Sequence, residues 1–167
     1  MRQTRTVSLD TLEYLYIPDV TYATYGETQR KMQRKMQLII PYRPQWQDGE
    51  TVPLIVFLPG SAWYRQEMYN GIPALAKLAE RGFAVASVQY RESKIAPFPA
   101  QVEDVHRAIH HIAEQLAKLF HIDMARTFLM GNSSGGHIAL LTALRQAAGI
   151  AAVSYTHLRA HETPEHL

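Results

Sequence analysis

The stretch Thr127-Phe-Leu-Met-Gly-Asn-Ser-Ser-Gly-Gly-His-Ile-Ala139 decides the fold. Its first four residues are the short apolar run of a buried strand, and Gly131-Asn132-Ser133-Ser134-Gly135 fits G-x-S-x-G. Chance alone places that pattern in roughly 5% of chains this long at average glycine and serine usage, so the motif by itself is weak. Its setting carries the weight. A strand runs into it and a helix, Ser134 to Gln146, leaves it, which is the strand-turn-helix arrangement of a nucleophile elbow.

The residue types follow from sterics. A serine at the apex of so sharp a turn takes a strained backbone conformation, while strand and helix approach too closely for side chains at Gly131 and Gly135. The Ser133 hydroxyl is thereby thrust into open space. The Ser134 amide, at a helix N-terminus, has an unpaired donor and a favourable dipole with which to stabilise an oxyanion. A glycine-rich turn holding a phosphate is the competing explanation. The stretch has no P-loop lysine and departs from the dinucleotide fingerprint.

Outward from the motif, Pro53-Leu-Ile-Val-Phe-Leu58 is an almost wholly apolar run ending at Pro59-Gly60, as in a strand buried on both faces. Leu75, Leu78 and Ala79 follow Pro73 at helical spacing until Gly82, and Phe83 to Tyr90 forms the next strand. From Pro99 to Phe120, apolar Val102, Val105, Ile109, Ile112, Leu116 and Leu119 predict one long amphipathic helix with His106, His110 and Glu114 on its polar face. Ile150 to Val153 begins a further strand. Residues 1–50 are β-prone at Asp19–Ala23 and Met36–Ile40, an antiparallel entry to the sheet, and a tandem Arg-Lys-Met-Gln repeat at 30–37 lengthens that hairpin. Strands alternating with helices imply an α/β fold, a mostly parallel sheet covered on both faces. The loop Pro59-Gly60-Ser61-Ala62-Trp63, after the strand at 53–58, is the natural second half of an oxyanion hole.

The segment from Pro53 to Leu144 resembles the esterase/lipase branch of the α/β-hydrolase fold, near hormone-sensitive-lipase-like and bacterial feruloyl or acetyl esterases. Four blocks stand in family order: Val56-Phe-Leu-Pro-Gly-Ser-Ala-Trp63, Ser87-Val-Gln-Tyr-Arg91, Phe98-Pro-Ala-Gln-Val-Glu-Asp104 and Gly131-Asn-Ser-Ser-Gly-Gly-His-Ile-Ala139. The resemblance implies that Ser133 is the nucleophile and that backbone amides near Ser61 and Ala62 join that of Ser134. It also implies small acyl esters as substrates and no metal or organic cofactor. An amidase or serine peptidase, or a non-catalytic ligand-binding homologue, are the alternatives. One departure is that Pro59-Gly60-Ser61 stands where such enzymes usually read His-Gly-Gly, placing a rigid φ and a side chain at two freer positions.

A serine hydroxyl needs a histidine to take its proton and an acid to orient that histidine, and in this family both follow the serine on later loops. The helix and one strand consume most of the 34 residues after Ser133, leaving no room for either. The expectation is therefore that residues 1–153 are the N-terminal portion of a single α/β-hydrolase domain. Residues 154–167 resemble a translated sequencing adapter and are expected to be a non-native tail. The strand at 150–153 would then be an exposed sheet edge, inviting self-association.

Composition narrows the rest. The 167 residues are 47% hydrophobic and 19% charged, an ordinary globular balance, and 17 Lys and Arg against 15 Asp and Glu give a scattered +2. Nothing asks for nucleic acid. No cysteine is present, which excludes disulfides, thiolate catalysis and cysteine metal sites. His157 and His161 stand four apart, yet a lone H-x-x-x-H without a third ligand makes no metal site. The basic N-terminus has no apolar run behind it and no window approaches the ~20 apolar residues of a membrane span, so the expected location is cytoplasmic, with no membrane partner.

Overall fold

The computed structural model describes residues 13–26, 31–43 and 46–149. The expectations for the strand at 150–153 and for the tail at 154–167 lie outside the described residues.

Five strands form one mixed sheet: β1 (Glu13–Tyr25), β2 (Met32–Tyr42), β3 (Val52–Leu58), β4 (Ala84–Val88) and β5 (Ile122–Gly131), in the order β1-β2-β4-β3-β5. β4, β3 and β5 are mutually parallel, and the hairpin β1–β2 joins antiparallel through β2. The Arg-Lys-Met-Gln repeat lies largely in β2 and extends the hairpin. α1 (Ile72–Ala79) links β3 to β4, α2 (Ala100–His111) links β4 to β5, and α3 (Ser134–Ala147) follows β5.

Alternation sorts the strand residues between two layers. Leu38, Leu54, Val56 and Ala86 join Val105, Ile109 and Ile138 on the α2/α3 face, whereas Ile39, Ile55 and Val85 meet Leu75 and Ala79 on the α1 face. Strands covered on both sides in this way are apolar at nearly every position, and all five residues of β4 are buried.

The helix expected over 99–120 is instead α2 followed by a π-helical turn, Ile112–Leu116, and a closing turn to His121. Leu119, beyond the π-turn, is exposed. The polar face also differs from expectation, because His106 is buried with Gln101 and Asp104. Position 106 lies four residues after Val102 and three before Ile109, so helical geometry puts it on the inner face. Asp104 tolerates burial because Arg91 reaches it with its backbone N–H (2.7 Å) and with Nε (2.9 Å), and Tyr25 donates its hydroxyl. Gln101 donates Nε2 to the Arg91 and Ala96 carbonyls, so this cluster anchors the segment after β4 to α2. Among the described residues, no helix is long and apolar enough to cross a membrane.

His106 Nε2 has no hydrogen-bond partner among the described residues, and burial together with the Arg145 guanidinium holds the imidazole below its ordinary value of 6.5. The unfolded chain therefore binds the proton more readily. The contribution of neutral His106 is full above about pH 6.5 and is lost as pH falls from there through the depressed folded value. His111, lowered by burial and by His110, adds the same sign. Denaturation midpoints between pH 7.5 and 5 are expected to drop, and to drop less in His106→Leu. An equal slope in the variant would remove His106 from the account.

Candidate active site

β5 delivers its last residue, Gly131, to a sharp turn, and α3 begins three residues later. Ser133, at the apex, adopts φ 52°, ψ −128°. That is a costly region for a residue with a Cβ, on the order of 1–3 kcal/mol, held only where the surroundings over-determine it. They do so here through close packing. A Cβ built on Gly135 would stand 1.9 Å from the Leu58 carbonyl oxygen, and one on Gly131 would stand 2.5 Å from the Gly135 carbonyl carbon. Ser133 is exposed, and its hydroxyl makes no hydrogen bond among the described residues.

Gly60 meets this turn from the end of β3. A Cβ there would lie 2.6 Å from the Asn132 carbonyl oxygen and 2.9 Å from Ser133 Cβ. Its N–H donates to Asn132 Oδ1 at 2.9 Å. The loop then turns tightly: Tyr64 N–H donates to the Ser61 carbonyl at 2.9 Å, with the central residues Ala62 and Trp63 at φ 51° and 61°. Two consecutive positive φ values are those of a type I′ turn, here without the glycines that normally supply them.

One expected oxyanion donor is already committed. The Ser61 N–H donates to Ser134 Oγ at 2.9 Å, whereas the N–H groups of Ala62 and Ser134 have no acceptor among the described residues. The Ser61 hydroxyl in turn donates to the Tyr64 carbonyl at 2.7 Å. Sequence reasoning treated Ser61 and Ala62 alike. Only the placement of Ser134 Oγ separates them.

The residues it assigned no role are those that hold the loop. Tyr90, 1% exposed, donates its hydroxyl to the Pro59 carbonyl at 2.7 Å and lies 3.2 Å from Ser61 Oγ and 3.3 Å from Ser134 Oγ. One hydroxyl thus ties the turn after β3 to the start of α3. Gln66, 3% exposed, accepts the Tyr90 N–H at 3.1 Å on Oε1 and donates Nε2 to Ser61 Oγ (3.3 Å) and to the Tyr64 carbonyl. Tyr90 lay within the quoted block Ser87–Arg91, so a signal existed. Asn132 likewise lay within the block Gly131–Ala139, whereas Gln66 had no such signal.

Between α2 and α3, one helical turn along from Ser133 at His137, opens a cleft of about 370 Å³, lined by Trp63, Phe98, Val102, His137, Ile138 and Leu141. The His137 ring stands edge-on to Trp63, centroids 5.6 Å apart, and its backbone N–H caps the Ser133 carbonyl at 3.1 Å. Among the described residues, no histidine side chain hydrogen-bonds the Ser133 hydroxyl, and no group of three or more His, Cys, Asp or Glu residues could hold a metal ion.

Gly135→Ala is expected to leave no soluble folded protein, because a Cβ cannot share space with the Leu58 backbone. Tyr90→Phe should fold with a loss of about 1–3 kcal/mol, the cost of leaving the Pro59 carbonyl and two hydroxyls short of a partner. Urea denaturation of both variants checks these outcomes.

The BD-FAE family profile matches residues 40–163. The esterase LipQ of Mycobacterium tuberculosis is 32% identical over 112 residues, which is 66% of this chain and 26% of that protein. A probable isoprenylcysteine alpha-carbonyl methylesterase, ICMEL1, of Oryza sativa subsp. japonica is 37% identical over 97 residues, 57% of this chain and 22% of that protein. Among solved structures, esterase B of Lactobacillus rhamnosis superposes with TM-score 0.67 over 93% of this chain and 49% of its own at 20% identity. A bacterial heroin esterase does so with TM-score 0.62 at 25% identity, over 87% and 43%. The chain thus spans about a quarter of the curated relatives it matches. With the profile covering most of its length and the elbow built as described, the chain belongs to the BD-FAE family, on the α/β-hydrolase fold.

Proposed function

We propose that the protein is a serine carboxylic-ester hydrolase in which Ser133 forms the acyl-enzyme. The observation that carries this reading is the strained, exposed turn at Ser133, whose hydroxyl has no partner among the described residues and against which the Gly60 loop packs, with the N–H groups of Ala62 and Ser134 likewise lacking an acceptor among the described residues. Attack of Oγ on an ester carbonyl transfers the acyl group and expels the alcohol, and water then releases the acid. In both steps the carbonyl oxygen gains negative charge, which two fixed N–H donors stabilise. The donor pair is Ala62 with Ser134, and Ser61 acts by holding the Ser134 hydroxyl. The apolar cleft bounded by Trp63, Phe98 and Leu141 receives the apolar half of a small ester. The names of the relatives, esterases and methylesterases, support the reaction class.

A proton acceptor is part of the same proposal. No described histidine or carboxylate serves Ser133, so residues 1–167 alone should turn over p-nitrophenyl acetate negligibly, with no further loss in Ser133→Ala. Removal of triad members typically leaves only about 10³- to 10⁴-fold catalysis over water. Robust Ser133-dependent turnover by this chain would mean that one of its own histidines is the base.

In the protein extended to the length of its relatives, an alkyl p-nitrophenyl phosphonate should add to the peptide carrying Ser133, read by mass spectrometry. Esters should outpace amides and peptides as substrates. A fully reactive extended protein labelled elsewhere would overturn the assignment. An inert one would point to a ligand-binding homologue.

We further propose that the 167-residue chain self-associates. β5 pairs only with β3 among the described strands, and Leu140 and Leu144 on α3 are more than half exposed. An apolar edge strand next to an apolar helix face is a template for pairing. Size-exclusion chromatography should show oligomers or aggregate. A monodisperse monomer would refute this.

A further inference from the structure

A second cavity, of about 310 Å³, opens on the α1 face of the sheet, where β1, β2 and the segment after β4 meet. That volume is at the lower end for small-ligand pockets, about 300–1,000 Å³. Its floor is Gln37, 1% exposed, with Lys35 and Gln33 following it along the same face of β2. Opposite Gln37 the ladder is irregular. Ile17 pairs with Leu38 and Val20 with Met36, so Pro18 and Asp19 together oppose one residue, and Asp19 is driven to φ 57°. Bulges of this kind re-aim a side chain at a local cost.

The Gln37 carboxamide fills the gap in the ladder. Its Oε1 accepts the Tyr16 hydroxyl (2.9 Å) and the Asp19 N–H (3.2 Å), while Nε2 donates to Asp19 Oδ1 (3.3 Å). Those bonds account for the bulge. They do not account for what surrounds it.

Tyr69 lies 2.9 Å from both Asp19 oxygens but has one proton to give, and Lys35 Nζ is 3.9 Å from Oδ1, so the carboxylate keeps acceptor capacity. Gln89 uses Oε1 for the Lys35 N–H (3.4 Å), leaving its Nε2 unpartnered, as are the Gln33 carboxamide and the Arg65 guanidinium among the described residues. Donors and acceptors therefore both line one small space. Its charges cancel, Asp19 and Glu67 against Lys35 and Arg65. An ionic ligand gains nothing net from such a lining, whereas a hydroxyl both gives and takes a hydrogen bond. Tyr69, more than half exposed, adds an aromatic ring to the lining.

We propose that this cavity, separate from the Ser133 site, binds a neutral polyhydroxylated ligand, a sugar unit, through Asp19, Lys35, Gln33 and Gln89. The site needs no catalysis, so it stands or falls independently of the esterase reading.

Saturation-transfer difference NMR tests it on Ser133→Ala chain, in a form that tolerates oligomers. The probes are methyl β-D-glucopyranoside, xylotriose and glucose 6-phosphate, each titrated to 50 mM. Saturable transfer to either neutral sugar is expected, weakened about 5- to 10-fold in Lys35→Met and in Gln89→Leu, the loss of roughly one hydrogen bond each. A preference for xylotriose would point to a polymer chain, and parity to a single unit. Gln33→Ala, at an exposed position, serves if either variant loses its circular dichroism signature. No saturation by either neutral sugar, binding of the phosphate alone, or neutral-sugar binding indifferent to folded variants would each overturn the proposal.

Discussion

Everything at the candidate site rests on one close approach, that of the first turn of α3 to the end of β3. Gly135 lies on the Leu58 carbonyl with no room for a methyl group, and Gly131 packs against Gly135 in the same way. This contact fixes where α3 starts, so it fixes the Ser134 amide. It also leaves the chain between Gly131 and Ser134 only a strained path, which exposes Ser133. The strain is local, and the packing that compensates it is the body of the domain.

The facing loop is held by different means. It contains no glycine at Ala62 or Trp63, the two positions where backbone geometry asks for one, and instead draws on buried polar side chains. Tyr90 and Gln66 supply fixed partners to Pro59, Ser61 and Tyr64, and Asp104 with Arg91 anchors the segment that carries Tyr90. Buried networks of this sort rigidify when every member is satisfied. In the resulting loop the Ser61 N–H is used, while that of Ala62 has no acceptor among the described residues.

The same rim carries two cavities of opposite character on opposite faces of the sheet. The one on the α2/α3 face is walled by Trp63, Phe98 and Leu141, and the one on the α1 face by glutamines, paired charges and Tyr69. Strand alternation separates them, because successive residues of β2 and β4 face different layers.

What the sequence by itself determined is what periodicity and sterics encode locally. The apolar runs at 53–58 and 127–130 marked two strands, of which the first is largely buried and the second half-buried at the end of the described sheet, and G-x-S-x-G between strand and helix asked for glycines where two backbones touch. The long helix failed at its end because the apolar spacing runs on through a π-turn that no local pattern marks. His106 was misplaced because a polar residue was read as an outward one, although its spacing to Val102 and Ile109 put it inside. The tertiary structure decided whatever depends on residues distant in the chain. Ser61 lost its free amide to Ser134, seventy-three positions away, and Tyr90 and Gln66 acquired their roles only when β3, β4 and α3 converged. The bulge at Asp19 likewise follows from pairing register, a property of two strands together that neither strand's own sequence contains.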